Sequence, residues 1–118
     1  IDQVLPHLEE KLDGMAARVP VPDGSVVDLV VQLDKETSAE EINAAMKRAA
    51  AGPMVDVLEY TEEEIVSSDI IGNPHSSIFD ALSTRMVGPH EARLLSWYDN
   101  EWGYSQRVVD LAAKLSNL

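Results

Sequence analysis

Asn100 stands in the stretch Ser96-Trp97-Tyr98-Asp99-Asn100-Glu101-Trp102-Gly103-Tyr104-Ser105, where a strand pattern gives way to a helical one. The stretch holds both tryptophans and two of the three tyrosines of the chain. Before it, Ala92, Leu94, Ser96 and Tyr98 alternate with Glu91, Arg93, Leu95 and Trp97, the period of a strand. After it, Val108, Leu111, Ala112 and Leu115 recur at helical spacing. Asp99 or Asn100 is the natural N-cap, since either side chain can accept from the free amides of a first helical turn. A strand end and a helix N-terminus expose backbone donors together, which is a common place for a ligand. The plainer reading is that the aromatics anchor a core and the asparagine only caps. Sequence grammar leaves both open.

The other residues capable of chemistry are sparse. The chain has no cysteine, which excludes disulfides, thiolate metal sites and a cysteine nucleophile and is compatible with the cytoplasm. His7, His75 and His90 are scattered without the spacing of metal ligands, so no metal site is expected. The acidic run Thr61-Glu62-Glu63-Glu64 reads as a solvated loop, and Asn73-Pro74-His75-Ser76-Ser77 as a structural turn rich in side-chain acceptors. A formal charge of −12 on 118 residues argues against nucleic acid and acidic membranes, whose phosphates it repels. Its simplest meaning is a solubilising surface. No apolar run approaches the ~20 residues of a membrane span, and no signal-peptide pattern opens the sequence.

The elements that must position these residues form one domain, long enough to bury roughly two thirds of its unfolded surface. Residues 1–12 read as a short helix with Val4, Leu5, Leu8 and Leu12 on one stripe, and Gly14 stops it. Residues 15–21 are expected as a strand, followed by hairpin-turn chemistry in Val21-Pro22-Asp23-Gly24-Ser25. Residues 26–33 are the clearest strand. Val27, Leu29, Val31 and Leu33 give one apolar face, and Val26, Asp28, Val30 and Gln32 give a mixed one, covered in part or by another chain.

Residues 38–51 are the best-specified helix. Ser38 and Glu41 make a capping box, Ile42, Ala45, Met46 and Ala49 the buried stripe, and Gly52-Pro53 the stop. Residues 54–60 are expected as a strand and 65–71 as extended. Residues 78–87 and 90–98 form a hairpin around Gly88-Pro89, and residues 104–118 close the chain as a helix. Strands outnumber helices and short turns join most of them. The expected class is α+β, a mixed, largely antiparallel sheet with helices packed on one face.

Four stretches carry a further signal. The decapeptide at 96–105 resembles the C-terminal signature of phosphorylating glyceraldehyde-3-phosphate dehydrogenase. Three others fit the same family in order: Lys11-Leu12-Asp13-Gly14-Met15-Ala16-Ala17-Arg18-Val19-Pro20-Val21-Pro22, then Ser25-Val26-Val27-Asp28-Leu29-Val30-Val31, then Ser67-Ser68-Asp69-Ile70-Ile71-Gly72-Asn73-Pro74-His75-Ser76-Ser77-Ile78-Phe79-Asp80-Ala81-Leu82-Ser83-Thr84. The resemblance runs from Val4 to Ala112 and covers the last third of a family chain, the C-terminal two-thirds of its catalytic domain.

It implies an enzyme that oxidises an aldehyde phosphate to an acyl phosphate with NAD or NADP and inorganic phosphate. That chemistry needs a cysteine thiolate to form a thiohemiacetal and a histidine to take its proton. By the resemblance, the nucleophile, the base and the Rossmann domain lie upstream of Ile1, and none of the three histidines matches the base. The positions that match are ligand positions. Asn100 aligns with the asparagine that pairs with the nicotinamide carboxamide, and Tyr104 with the tyrosine beside that ring. Arg18 aligns with the arginine that holds a substrate or attacking phosphate, a role suited to a guanidinium fork. The alternative for Arg18 is a strand residue paired with an acid.

Glu9-Glu10, Asp56, Glu64, Arg85, Pro89, His90 and Glu91 depart from the family pattern, several by adding charge to strands that pack on a neighbouring subunit in the family. These departures read as an excised or redesigned subdomain, against a natural short paralogue. Three expectations follow. The chain is a catalytically silent fragment kept for its fold, a weak phosphate- or nicotinamide-binding module, or one part of a split enzyme completed by the N-terminal portion. No cofactor is expected to bind tightly. The expected partner is a second copy, joined through the sheet face around Val26 and Val30 beside Leu94 and Tyr98.

Overall fold

The computed structural model describes residues 5–116. Its centre is a four-stranded sheet of β1 (Ser25–Gln32), β2 (Leu58–Thr61), β3 (Ser77–Val87) and β4 (Glu91–Tyr98), with α1 (Ala39–Ala50) and α2 (Asn100–Ser116). The strand order is β1-β4-β3-β2. β1 and β3 run antiparallel to β4, and β2 runs parallel to β3. This is the α+β architecture with a mixed, largely antiparallel sheet that the sequence implies.

The capping box of α1 is present. Glu41 N–H donates to Ser38 Oγ and Ser38 N–H to Glu41 Oε2, each at 3.2 Å. The helix lays Ile42, Met46, Ala49 and Ala50 on a core of Leu58, Phe79 and Ala81. Ala45, expected in that stripe, is exposed, and Ala50 takes its place because α1 packs across β2 and β3 at the end of the sheet away from β1. Asn43 pins the contact. Its Nδ2 donates to Ala81 O at 3.0 Å, and its Oδ1 accepts from Thr84 Oγ1 at 2.7 Å, where the β3–β4 register shifts.

The register also assigns the faces. Leu29 lies opposite Leu94 and Val30 opposite Arg93. Val26 and Val30 therefore share one face with Arg93 and Trp97, while Leu94 and Tyr98 lie on the other with Val27 and Leu29. The expected association surface is thus split between two faces. β1 is largely exposed, since α1 packs mainly on β2 and β3.

Several expected elements differ. Of the helix at residues 1–12, a single 3-10 turn Pro6–Leu8 forms; residues 1–4 lie outside the described residues. Leu5 and Leu12 find no apolar surface and remain exposed, so a short helix lacks the packing that stabilises one. Residues 15–21 form no strand, because no described strand pairs with them. Their turn is as expected, with Gly24 at φ +87° and a Cβ there meeting Ile70 Cδ1 at 2.9 Å.

The strand at residues 54–60 contracts to Leu58–Thr61, because turns continue after α1 through Met54 N–H to Ala49 O at 2.9 Å and Leu58 N–H to Met54 O at 2.9 Å. Residues 65–71, expected as extended, include the 3-10 turn Ser67–Ile70, closed by Val66 N–H to Asp69 Oδ2 at 2.8 Å and anchored by buried Ile70. α2 begins at Asn100, four residues before the expected start at Tyr104, because Asp99 caps it. Residues 117–118 lie outside the described residues.

Candidate functional site at the β4–α2 junction

Asp99, the last residue before α2, is buried and clamps three chain segments. Its Oδ1 accepts from Trp102 N–H at 2.8 Å, the cap of the first turn. Its Oδ2 accepts from Gly72 N–H at 2.8 Å, which ties the 72–77 loop to the helix start. These two donors above all hold the Asp99 carboxyl below the usual aspartate range, against the opposing effect of its desolvation. Gly103, buried one turn on, lets the loop approach: a Cβ there would stand 3.0 Å from the His75 carbonyl oxygen.

With Asp99 as the cap, Asn100 is released from that role. It occupies the first turn of α2 and is exposed. Tyr104 follows at i+4, on the same helix face, with 72% of its surface free. The two residues thus lie one turn apart on an exposed face of α2. Arg18 is exposed in the segment before β1, and no hydrogen bond or ion pair joins it to another described residue. Asn100 and Tyr104 lie one turn apart in α2, and no hydrogen bond or ion pair among the described residues ties Arg18 to either.

Sequence reasoning missed the acids around this junction. Carboxylate oxygens of Asp23, Asp99 and Glu101 lie within 4.8 Å of one another. Asp23 arrives through the turn before β1, where its Oδ1 accepts from Gly24 N–H at 2.6 Å. Both Asp99 oxygens are already engaged by backbone donors. The cluster sets a negative local field next to Asn100, unfavourable to phosphates. Only the cap choice Asp99 or Asn100 pointed towards it.

The expected structural turn at residues 73–77 is one. His75 Nδ1 lies 2.9 Å from Asn73 Oδ1 and 3.0 Å from Glu59 Oε2, and Asn73 Nδ2 donates to Glu59 Oε2 at 2.8 Å. This knot borders a shallow groove of about 320 Å³ lined by Lys47, Ala51, Val55, Leu58 and Tyr60. Among the described residues no helix is long and apolar enough to cross a membrane.

Comparison with known proteins decides the family. Residues 1–100 match the glyceraldehyde 3-phosphate dehydrogenase, C-terminal domain. The chain belongs to that family. It is 58% identical over 113 residues to glyceraldehyde-3-phosphate dehydrogenase 2 of Schizosaccharomyces pombe, covering 96% of this chain and 34% of the relative. It is 56% identical to the glyceraldehyde-3-phosphate dehydrogenase of Mycolicibacterium smegmatis, covering 96% of this chain and 33% of that protein. With glyceraldehyde-3-phosphate dehydrogenase 2 of Bacillus subtilis it shares 56% identity over 108 residues, 92% of this chain and 32% of the relative. The chain thus spans about a third of the length of the curated relatives it matches. The family match over residues 1–100 takes in β4, Asp99 and Asn100 and ends before Tyr104.

Proposed function

We propose that these 118 residues are a ligand-positioning part of a glyceraldehyde-3-phosphate dehydrogenase catalytic domain, silent in catalysis by themselves. The observation that carries this is the residue inventory: the family's covalent step starts from a thiolate, and the chain has no cysteine. No other side chain at the β4–α2 junction takes that role. Asp99 is committed to backbone donors, and Asn100 and Tyr104 bind and orient rather than react.

Asn100 and Tyr104 fit the nicotinamide end of NAD or NADP, where an amide pairs with the carboxamide and a ring lies beside the ring. Bound there, the cofactor supplies hydride transfer. Arg18 fits a phosphate of the substrate or the attacking phosphate. Both contacts are weak in this chain. Asn100 and Tyr104 address one end of a dinucleotide, association must first offset ~4 kcal/mol or more of rigid-body freedom, and the acids at 23, 99 and 101 oppose phosphates. Isothermal titration with NAD and with phosphate is expected to give dissociation constants in the millimolar range or weaker. Micromolar NAD binding would overturn the reading of the chain as an incomplete site.

A second reading is favoured by the surfaces left open. Val108, Val109, Leu111 and Leu115 of α2 are exposed, and the chain matches a third of its relatives' length. These faces suit a partner, either a second copy or the remaining part of a family enzyme in a split arrangement. Mixing the chain with a separately produced N-terminal portion of a relative and assaying NADH tests the split arrangement. Turnover in the mixture supports it, and none in a mixture that demonstrably associates contradicts it.

A further inference from the structure

We propose that the link between Asp13 and Gly14 is a site of spontaneous isoaspartate formation, while the fold protects the chain's second Asp-Gly pair, Asp23-Gly24. The reaction needs no partner beyond water. The Gly14 amide nitrogen attacks Asp13 Cγ, so that an N–C bond forms and a C–O bond breaks. The amide proton leaves with the carboxyl hydroxyl as water. Water then adds to the main-chain carbonyl carbon of Asp13 in the five-membered imide and breaks its bond to the Gly14 nitrogen. The chain now runs through Asp13 Cβ and Cγ, and the former main-chain carbonyl ends as the free carboxylate. Composition, oxidation state and charge are unchanged. Glycine is the favoured follower because no Cβ crowds the attacking nitrogen.

Both pairs start from the same local contact. Gly14 N–H donates to Asp13 Oδ1 at 2.8 Å, and Gly24 N–H donates to Asp23 Oδ1 at 2.6 Å. Each amide nitrogen already lies beside the carboxyl group, a contact that aspartate commonly makes with nearby backbone in turns. Ring closure asks for more. The peptide plane must rotate until the nitrogen stands over Cγ, through backbone arrangements that sterics leave sparsely populated. What separates the two pairs is how freely each can turn.

Asp13 and Gly14 are exposed and lie in neither helix nor strand. A Cβ placed on Gly14 would meet nothing within 4 Å. Among the described residues no hydrogen bond ties residues 12–18 to another segment. Gly24 is held differently, at φ +87°, with Ile70 Cδ1 at 2.9 Å and Ser67 O at 3.2 Å from the place of a Cβ. Ser25, next in the chain, begins β1 and pairs with Tyr98. The half-buried Asp23 carboxylate lies within 4.8 Å of those of Asp99 and Glu101. Isoaspartate at 23 would add a methylene to the main chain at the first rung of the β1–β4 ladder, against buried Ile70. At 13 the same insertion displaces no ladder.

Trypsin separates the two sites, since peptides 12–18 and 19–35 end at Arg18 and Lys35. The chain is kept for several weeks at neutral pH, in buffer and in parallel in unfolding urea. Isoaspartate in each peptide is then read by electron-transfer fragmentation. It is expected to accumulate severalfold faster at 13 than at 23 in buffer, and at similar rates at both in urea. Gly14→Val, whose branched side chain is stiff and crowds the attacking nitrogen, is expected to abolish the signal at 13. No isoaspartate at 13 in buffer, or its persistence in Gly14→Val, would overturn the site and its route. Equal rates at 13 and 23 in buffer, or the same ratio in urea as in buffer, would overturn protection by the fold.

Discussion

Asp99 Oδ2 accepts the Gly72 N–H at 2.8 Å across 27 residues of chain, while Oδ1 of the same carboxylate caps α2 through Trp102. One buried side chain thus joins the loop before β3 to the helix after β4. Asp99→Ala removes a cap and leaves the Gly72 amide without its acceptor. It is expected to cost about 2 kcal/mol in urea unfolding at neutral pH. Asp99→Asn is expected to cost less, since its amide oxygen can keep one of the two donors.

The same carboxylate gives a signed pH dependence. Its folded pKa is depressed, first by the Gly72 and Trp102 amides. A depressed carboxylate contributes stability above its unfolded value of about 3.9, lost as pH falls through the lower folded value. Acid unfolding followed by tryptophan fluorescence is expected to be shallower below about pH 4 in Asp99→Asn than in the wild type. Parallel curves would refute the assignment of that acid sensitivity to Asp99.

Asn43 links α1 to β3 with both ends of its amide. Asn43→Ala strands the Ala81 carbonyl and the hydroxyl of buried Thr84. A loss of about 1–3 kcal/mol is expected, measurable as a lower denaturation midpoint with an unchanged m-value.

The core is narrow. Phe79, 1% exposed and stacked on Tyr60 at 6.1 Å between ring centroids, sits at its centre. Phe79→Ala is expected to cost about 3–5 kcal/mol. Leu111→Ala, on the open face of α2, is expected to fall within about 0.5 kcal/mol. Comparable losses for the two would mean that α2 packs in solution on something beyond the described residues.

The readable parts of the fold share one property: their signals are local. The Ser38–Glu41 box fixes the start of α1, alternation fixes β4, the turn at Gly88-Pro89 joins it to β3, and Gly24 fixes the turn before β1. Each needs a few neighbouring residues only. What sequence grammar misplaced depends on partners. Residues 15–21 have strand composition, yet a strand needs a ladder, and no described strand pairs with them. Ala45 has the spacing of the α1 stripe, but which side of the stripe is buried depends on where the sheet ends. The site divides in the same way. Asn100 and Tyr104 were legible as a motif, and their i+4 relation on one helix follows from it. The Asp99–Gly72 bond and the convergence of Asp23 were not, because they join segments far apart in the chain.

The assay that tests the central claim is turnover by the chain alone. With glyceraldehyde 3-phosphate, NAD and phosphate, NADH formation followed by absorbance is expected to match a protein-free blank at any attainable concentration of the chain, because no thiolate is present to begin the covalent step. NADH formation above that blank, proportional to the amount of chain and lost in Asn100→Ala, would contradict it.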